Sequence, residues 1–392
     1  MITNDGFKKI IDTFYTPSYV FDEDELVERA GAIRRMLDGI SFCYSIKANP
    51  FLIPALMPVV DYFEVCSPGE LAICKELSVP AEKIIYSGVN KGSEDIKAAI
   101  EYKAAILTAE SVRQYELICE AARESGSEVN VILRLSAKNQ FGMSLEDIEK
   151  ILCMTAPHVN INGIHFFAGT GHKQIEKRRD ELLMLTDTLS SLRDKYNMEL
   201  PMLEYGPGLN FPYFTGDDFS DTLLPLKELM PCLKEAAKKC SLSIEMGRFI
   251  ASSCGYYLTS ICDIKNSDET NWCIVDGGIN HVNYLGQMMG LKVPVITHYR
   301  DGKVINDGGG EIYTVCGSLC TVNDVLVRKM PMRNPKVGDV LVFRNTGAYS
   351  VTEAMGLFLS RTLPRIIAYK GDETRLVRDY RESWKMNIQD DK

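Results

Sequence analysis

A lysine and a glutamate stand where they could do chemistry on a carbonyl compound. Lys47 closes the apolar segment SFCYSIKAN at 41–49, and Glu245 closes the segment SLSIEMG at 241–247. A lysine at the end of an apolar strand loses hydration, which favours the neutral amine that attacks an aldehyde and links to it covalently. The same position also suits a lysine whose charged end simply reaches solvent, so Lys47 alone does not decide between the two readings.

A glycine-rich turn and an arginine could hold a phosphate group. The turn GPG lies at 206–208, and Arg248 follows Glu245 closely in the chain. Glycines let backbone N–H groups approach a phosphate, although a single GPG is more often only a tight turn. An amine, a carboxylate and a phosphate site together match pyridoxal phosphate, which needs partners for its aldehyde, its ring nitrogen and its phosphate.

Other kinds of site find little support in the sequence. The five histidines form no HxH or HExxH pair, so we expect no metal centre. No GxSxG motif is present. The formal net charge is −9 and is spread along the chain, which argues against nucleic acid as a partner.

Short apolar segments alternate with segments of helical periodicity from about residue 41 to residue 247. Roughly eight such units predict a (β/α)8 barrel of the TIM type, whereas a doubly wound sheet would carry a GxGxxG turn that is missing here. The carboxyl ends of barrel strands meet at one mouth. Further candidates at predicted strand ends are Glu64, Arg134, His165 and Phe167.

The chain after about residue 250 has the alternating pattern of an all-β domain, which the strand PSYVF at 17–21 is expected to complete. We therefore predict a barrel over 25–248 and a β domain from 1–24 and 249–392.

Twelve cysteines without paired CxxC spacing indicate reduced thiols, and no apolar run approaches the roughly 20 residues of a membrane helix. These features predict a cytoplasmic protein that does not bind membranes.

Six motifs in consistent order resemble the fold type III decarboxylases, which include the ornithine and diaminopimelate enzymes and have an alanine racemase-like barrel. The motifs are YSIKANP with Lys47, FEVCSPGEL with Glu70, GPG at 206–208, EMGR at 245–248, CGSLCTVNDVL with Cys320, and GAY at 347–349. The resemblance implies a pyridoxal 5'-phosphate cofactor bound covalently to Lys47 and a ring nitrogen kept protonated by Glu245. The residues it assigns to cofactor binding are Lys47, Arg134, Phe167, Thr170, Gly208, Glu245, Gly247, Arg248 and Tyr349.

The resemblance also implies a shared active site. Cys320 matches the residue that protonates the product carbon, and in the family this cysteine and the residue matching Tyr349 reach the site of the other subunit. A head-to-tail homodimer is therefore expected. A buried, unreactive thiol is the alternative interpretation of Cys320, as it is for most unpaired cysteines.

The sequence departs from the family pattern around the substrate. Phe167 stands where the best-known members stack an imidazole on the cofactor, and Thr321 stands where they carry the acid that receives a distal amino group. Tyr284 stands where diaminopimelate enzymes use an arginine for the distal carboxylate. The candidate substrate-binding residues are His165, Tyr284, Thr321 and Asp324.

The resemblance, together with these departures, predicts a pyridoxal-phosphate-dependent decarboxylase that acts on an amino acid or an amino-acid conjugate, including conjugates attached to a carrier protein. Two alternatives stay open. One is diaminopimelate decarboxylase itself, against which Thr321 and Tyr284 speak. The other is a catalytically silent homologue that still binds the cofactor.

Overall fold

The computed structural model describes residues 2–171 and 174–389, which form two units. The barrel unit comprises residues 29–211 and 221–250, and the β unit comprises the remaining described residues. The boundaries predicted from sequence assign 212–220 to the barrel, but this segment packs with the β unit, where Phe214 pairs with Pro294. Such a short connection has no periodic pattern of its own, so the sequence offers no sign of this excursion.

The chain begins with helix α1 (Asn4–Phe14), strand β1 (Ser18–Asp22) and helix α2 (Glu23–Met36). Helix α1 is amphipathic, and its residues Phe7 and Ile10 are buried in a core cluster of the β unit with Val20 and Leu258. Burial of this apolar face stabilises the helix more than its intrinsic propensity does.

Eight parallel strands form a closed barrel in chain order, which confirms the predicted fold. They are β2 (Ser41–Ser45), β3 (Tyr62–Val65), β4 (Ile84–Tyr86), β5 (Ile106–Ala109), β6 (Val129–Arg134), β7 (Val159–Phe167), β8 (Met202–Gly206) and β9 (Ser241–Met246). Covering helices bury the outer faces of these strands, so most strand residues are apolar on both faces.

The helices that follow these strands are α3 (Ile53–Leu56), α4 (Pro68–Glu76), α5 (Ser93–Glu101), α6 (Val112–Ser125), α7 (Leu145–Leu152), α8 (Ile175–Tyr196), α9 (Leu224–Ala237) and α10 (Arg248–Ala251). Serine caps begin three of them. The side chains of Ser67, Ser111 and Ser144 each accept a hydrogen bond of 3.1 Å from the backbone N–H three residues later. Each cap contributes about 1 kcal/mol to helix stability.

No helix in the described part of the chain is long and apolar enough to cross a membrane.

The interior of the barrel changes from apolar to polar towards the carboxyl ends of the strands. Cys43, Ile85, Ile106, Ile132 and Met202 form an apolar cluster. Alternate residues of a strand share a face, so the residue two positions after each of these also points inward. Those residues are Ser45, Ser87, Thr108, Arg134 and Glu204.

The β unit is a mostly antiparallel ten-stranded sheet. Strand β1 pairs with β10 and with β17, as expected for an N-terminal strand that completes this sheet. The other strands are β10 (Gly255–Ser267), β11 (Thr270–Val275), β12 (Ile296–Arg300), β13 (Lys303–Val304), β14 (Glu311–Cys316), β15 (Val325–Met332), β16 (Val340–Arg344), β17 (Arg365–Lys370) and β18 (Glu373–Arg378).

Candidate active site

Lys47 lies at the mouth of the barrel between two carboxylates. It belongs to a short 3-10 turn, Ile46–Ala48, that directly follows β2. Its Nζ lies 2.8 Å from Oε2 of Glu64 and 3.5 Å from Oε1 of Glu245. The lysine side chain is 36% exposed, whereas both carboxylates are almost fully buried. An amine in this position is accessible to a ligand at the mouth of the barrel, while the two buried carboxylates compensate its charge.

Glu245 is held as an anion by three neighbours. His165 lies with Nε2 at 3.1 Å from Oε2, and Ser45 donates from its hydroxyl to Oε1 at 2.8 Å. Burial disfavours ionisation, but Lys47, His165 and Ser45 together hold the pKa of the Glu245 carboxyl well below its usual value. The carboxylate can therefore accept a hydrogen bond from a donor such as a protonated ring nitrogen.

Cys66 is a neighbour of Lys47 that the sequence analysis missed. Its Sγ lies 3.6 Å from Nζ of Lys47 and donates to Oε1 of Glu64 at 3.2 Å. Burial, together with the charge of Glu64, raises the pKa of the Cys66 thiol well above its usual value, so it stays protonated. Cys66 lies two residues after Glu64, so strand alternation could have predicted that both side chains point to the same side.

Arg134 is anchored at the end of β6 by an ion pair. Its Nη1 lies 2.6 Å from Oε1 of Glu110, and its guanidinium lies 5.0 Å from the ring centre of Phe141. A second buried cation, Lys91, follows β4 and donates to the carbonyl of Gly88. Burial lowers the pKa of Lys91 to about 8. Sequence reasoning overlooked both Glu110 and Lys91 because each lies in a connection after a strand.

Gly206 leaves room for an aromatic ring at the barrel mouth. A Cβ at Gly206 would lie only 2.5 Å from Cδ2 of Phe167 and 3.4 Å from Oε2 of Glu245. Phe167 thus lies over the end of β8, close to the carboxylate. A planar pyridine ring fits these residues, since Phe167 offers a face for stacking and Glu245 offers an acceptor for the ring nitrogen.

Four of the predicted cofactor-binding residues occupy neighbouring strand ends. Thr170 follows β7, Gly208 follows β8, and Gly247 and Arg248 follow β9. Gly208 has φ of +59°, a conformation that glycine adopts without strain. The structure therefore brings together Lys47 and these four residues at the carboxyl end of one barrel, as a phosphate-bearing cofactor requires.

The β unit carries the remaining predicted residues. Cys320 is exposed and follows β14 in a loop that Asp324 holds in place. The Asp324 carboxylate accepts the N–H groups of Ile279 and Leu319, both at 2.8 Å. Thr321 is half-buried beside Cys320. Asp324 thus shapes the Cys320 loop.

Tyr284 and Tyr349 differ in their surroundings within the β unit. Tyr284 is buried against Tyr213 and Phe214, and its hydroxyl donates to the carbonyl of Arg344 at 2.7 Å. Tyr349 is half-buried in the loop after β16 and has φ of +64°.

Three of the four predicted substrate-binding residues are buried. His165 is 1% exposed, Asp324 2% and Tyr284 3%. Each also has a hydrogen-bond partner within its own unit. So little of each side chain is accessible that burial favours positioning roles over direct contact, and contact of these residues with the substrate stays a prediction.

Comparison with known proteins gives the family. Residues 23–252 match the family described as pyridoxal-dependent decarboxylase, pyridoxal binding domain. The chain belongs to this family. The matched segment contains Lys47, Glu245 and Arg248, which confirms the resemblance inferred from the motifs. As a pyridoxal-dependent decarboxylase, the protein uses pyridoxal phosphate to remove CO2 from an amino acid or an amino-acid conjugate.

Relatives of the decarboxylase include enzymes for free and for tethered amino acids. The diaminopimelate decarboxylase of Methanocaldococcus jannaschii is 27% identical, with 96% of this chain and 91% of the relative aligned. The L-glutamyl-(BtrI acyl-carrier protein) decarboxylase of Niallia circulans is 25% identical over 93% and 91% of the two chains. The crystal structure of the M. jannaschii enzyme with L-lysine has a TM-score of 0.86 at 26% identity, covering 98% of this chain and 94% of that one.

Proposed function

We propose that the mouth of the barrel binds pyridoxal phosphate with Lys47 as its covalent anchor and decarboxylates an amino acid whose side chain ends in a neutral or anionic group. The observation that carries the cofactor assignment is the placement of the Lys47 amine 3.5 Å from the anionic Glu245. The bound cofactor supplies an electron sink for the electron pair left behind when CO2 departs.

The protein's own residues hold and orient the reacting groups. Glu245 accepts a hydrogen bond from the ring nitrogen and keeps it protonated, because its carboxylate is stabilised as an anion. Phe167 would stack on the ring, while Gly208, Gly247 and Arg248 would bind the phosphate, with Thr170 nearby in the barrel and Tyr349 contributed by a second subunit. Arg134, fixed by Glu110, supports the mouth of the barrel from β6.

Cys320 is the proposed donor of the proton that replaces CO2, and it acts in the site of a second subunit. Large apolar side chains near Cys320 in sequence and in the loop at 285–291 support an interface between two copies. Val322 is 91% exposed and Met288 62% exposed. Exposed apolar surface of this kind marks contact sites.

Mixing two inactive variants tests this shared site. Lys47→Ala and Cys320→Ala subunits should form heterodimers in which one composite site is intact, so some activity should return. Light scattering should give the mass of a dimer for each protein. Verified heterodimers without recovered activity would contradict a site shared between subunits.

The Cys320 loop argues against a substrate that ends in an ammonium group. Asp324 is the acidic residue of the segment CGSLCTVND, and both of its oxygens accept backbone N–H groups. Thr321 offers only a hydroxyl, and Arg361 donates to the carbonyl of Ser318 at 2.7 Å, which adds positive charge nearby. A distal carbonyl or carboxylate fits these groups better than a cation.

The names of two relatives describe such substrates. One acts on an L-glutamyl carrier protein, and the 2-((L-alanin-3-ylcarbamoyl)methyl)-2-hydroxybutanedioate decarboxylase of Staphylococcus aureus acts on an amide-linked conjugate. These names support the proposal that this decarboxylase acts on a conjugated or carrier-tethered amino acid.

A CO2-release assay on a panel of substrates tests the proposal. The panel contains L-lysine, L-ornithine, meso-diaminopimelate, an L-glutamyl thioester and an amino acid with an amide-linked carboxylate. The last two should be preferred by at least about tenfold in kcat/KM over lysine and ornithine. Thr321→Asp should shift the preference towards the cationic substrates. A wild-type preference for lysine or ornithine would contradict the proposal, and no CO2 from any compound by a cofactor-loaded protein would favour the silent homologue.

Diaminopimelate decarboxylase is the second candidate. It is favoured by the 27% identity to the M. jannaschii enzyme along nearly the whole chain. Formation of lysine from meso-diaminopimelate at a higher kcat/KM than any conjugate would establish it.

We also propose a cytoplasmic location for this reaction. All twelve cysteines are free, as is usual in a reducing compartment. Fractionation of the source cells followed by detection of the protein would test it.

A further inference from the structure

The interior of the barrel below Glu245 contains buried polar atoms that have no hydrogen-bond partner among the described residues. They are Nδ1 of His165, both carboxyl oxygens of Glu204 and the hydroxyl oxygen of Ser243. All three residues are at most 1% exposed. Buried polar groups in native proteins are nearly always hydrogen-bonded. Several unpaired polar atoms at one place therefore indicate that a further hydrogen-bond partner lies among them.

These orphaned atoms belong to three strands that are paired side by side. His165 on β7 is in register with Glu204 on β8, which is in register with Ser243 on β9. All three side chains point inward, because Phe167, Gly206 and Glu245, two positions further along, line the mouth. Neighbouring strands are about 4.8 Å apart, so the three side chains line one side of the same interior space.

The donors and acceptors at this place are complementary to water. Burial, together with the charges of Glu245 and Glu64, raises the pKa of Glu204 well above its usual value, so this residue is a neutral acid with one O–H donor. Nε2 of His165 lies 3.1 Å from the Glu245 carboxylate, and in the tautomer that donates Nε2–H to this carboxylate Nδ1 is an acceptor. The Cys43 thiol beside Glu204 is only a weak donor.

A metal ion fits less well than water. The described residues contain no group of three or more His, Cys, Asp or Glu side chains that could hold one. The Glu204 carboxyl group, the Ser243 hydroxyl and the Nδ1 atom of His165, by contrast, provide the two to four polar partners that an internal water molecule requires.

We propose that an ordered water molecule inside the barrel bridges Glu204, Ser243 and Nδ1 of His165. Glu204 donates to the water, the water donates to Nδ1, and His165 is thereby fixed in the tautomer that donates Nε2–H to Glu245. Glu204 and His165 are thus positioning residues for Glu245. The water site stands on the structure alone, whereas its effect on the cofactor rests on the proposed role of Glu245.

A high-resolution crystal structure of the cofactor-loaded enzyme tests the water site. We expect a water molecule within hydrogen-bond distance of the Glu204 carboxyl group, Ser243 Oγ and His165 Nδ1. Infrared difference spectra should show the carbonyl band of a protonated carboxylic acid that disappears in Glu204→Gln. A direct contact between Glu204 and His165, an ion at this place, an empty cavity or the absence of that band would overturn the proposal.

Paired substitutions test the positioning roles through the affinity and the absorption spectrum of the bound cofactor. His165→Leu should weaken cofactor binding about tenfold or more, which is the effect of losing one hydrogen bond to a charged group. His165→Gln should recover part of this loss, because its amide can donate to Glu245. Glu204→Gln should likewise retain more affinity than Glu204→Leu.

Thr108→Val is the matched control. Thr108 is a buried inward residue on β5 whose hydroxyl bonds to that of Ser87 at 3.0 Å, so its substitution removes a polar atom from another part of the same interior. It should leave the affinity and the spectrum unchanged. Equal losses for the Gln and Leu variants, or for Thr108→Val, would show a general folding effect and overturn the positioning roles. These readouts need no substrate, so they remain decisive if the proposed reaction fails.

Discussion

The amine of Lys47 lies 3.5 Å from the carboxylate of Glu245, although 198 positions separate the two residues in the chain. Closure of the barrel brings them together. Strand β2 pairs with β9, with Cys43 opposite Glu245, so the first and last barrel strands share one seam. The reactive amine and its anion therefore come together only in the fully folded barrel.

Glu245→Gln should reduce kcat/KM for the preferred substrate by about 100-fold, the size expected when a hydrogen bond to a charged group is lost at the reacting centre. The amide keeps the shape of the side chain but cannot hold a ring nitrogen protonated. Steady-state CO2 release measures the effect. Glu235→Gln, an exposed residue on α9, is the control and should behave as wild type. Comparable rates of CO2 release for both variants would show that Glu245 does not contribute to the reaction.

Gly206→Ala should weaken cofactor binding because the new methyl group would lie 2.5 Å from the ring of Phe167 and displace it. Fluorescence titration of the cofactor-free protein with pyridoxal phosphate measures the affinity. Gly69→Ala in α4 is the matched control, since a Cβ there meets nothing closer than 3.8 Å. Unchanged affinity in Gly206→Ala would show that the Phe167 ring does not contact the cofactor.

Asp324→Ala should destabilise the β unit by about 2–4 kcal/mol, because the buried N–H group of Leu319 and the partly buried N–H group of Ile279 lose their charged acceptor. Urea denaturation of the variant measures the change in the free energy of unfolding. Asn323→Ala alters an exposed neighbour in the same loop and should change stability by less than about 0.5 kcal/mol. Equal effects would contradict the anchoring role of Asp324.

Glu204→Gln should stabilise the protein increasingly as the pH rises. Burial and the charges of Glu245 and Glu64 raise the pKa of Glu204 in the folded state, whereas unfolding restores a value of about 4.3. The stability that wild-type Glu204 contributes is complete below the unfolded-state pKa and is lost as the pH rises towards the folded-state pKa.

The variant has no such loss, so its advantage in the free energy of unfolding should grow by up to about 1.4 kcal/mol per pH unit between the two pKa values. Urea denaturation from about pH 5 to about pH 8 measures this slope. A difference that does not change with pH would mean that Glu204 is ionised in the folded protein.

The features that sequence predicted well depend on local pattern. The eight barrel strands and the pairing of β1 with the C-terminal sheet follow from apolar segments whose length and periodicity are visible in the chain. The same patterns placed Lys47, Arg134 and Glu245 at strand ends, where a parallel barrel gathers them.

The features that sequence missed depend on pairings between distant segments. Strand alternation places Cys66 on the same side as Glu64, but its approach to Lys47 depends on the pairing of β2 with β3. The register of Glu204 with His165 likewise depends on the pairing of β7 with β8. Burial likewise separates residues of one motif. In CGSLCTVND the thiol of Cys320 is exposed while Asp324 is buried, which only the folded loop reveals.

The most direct test of this account is to find which lysine carries the cofactor. The loaded enzyme is reduced with borohydride, digested and analysed by mass spectrometry, with Lys47→Ala treated in parallel. We expect the pyridoxyl group on Lys47 and none in the variant. Recovery of the group on another lysine, above all the buried Lys91 whose pKa is lowered to about 8, would contradict the central claim.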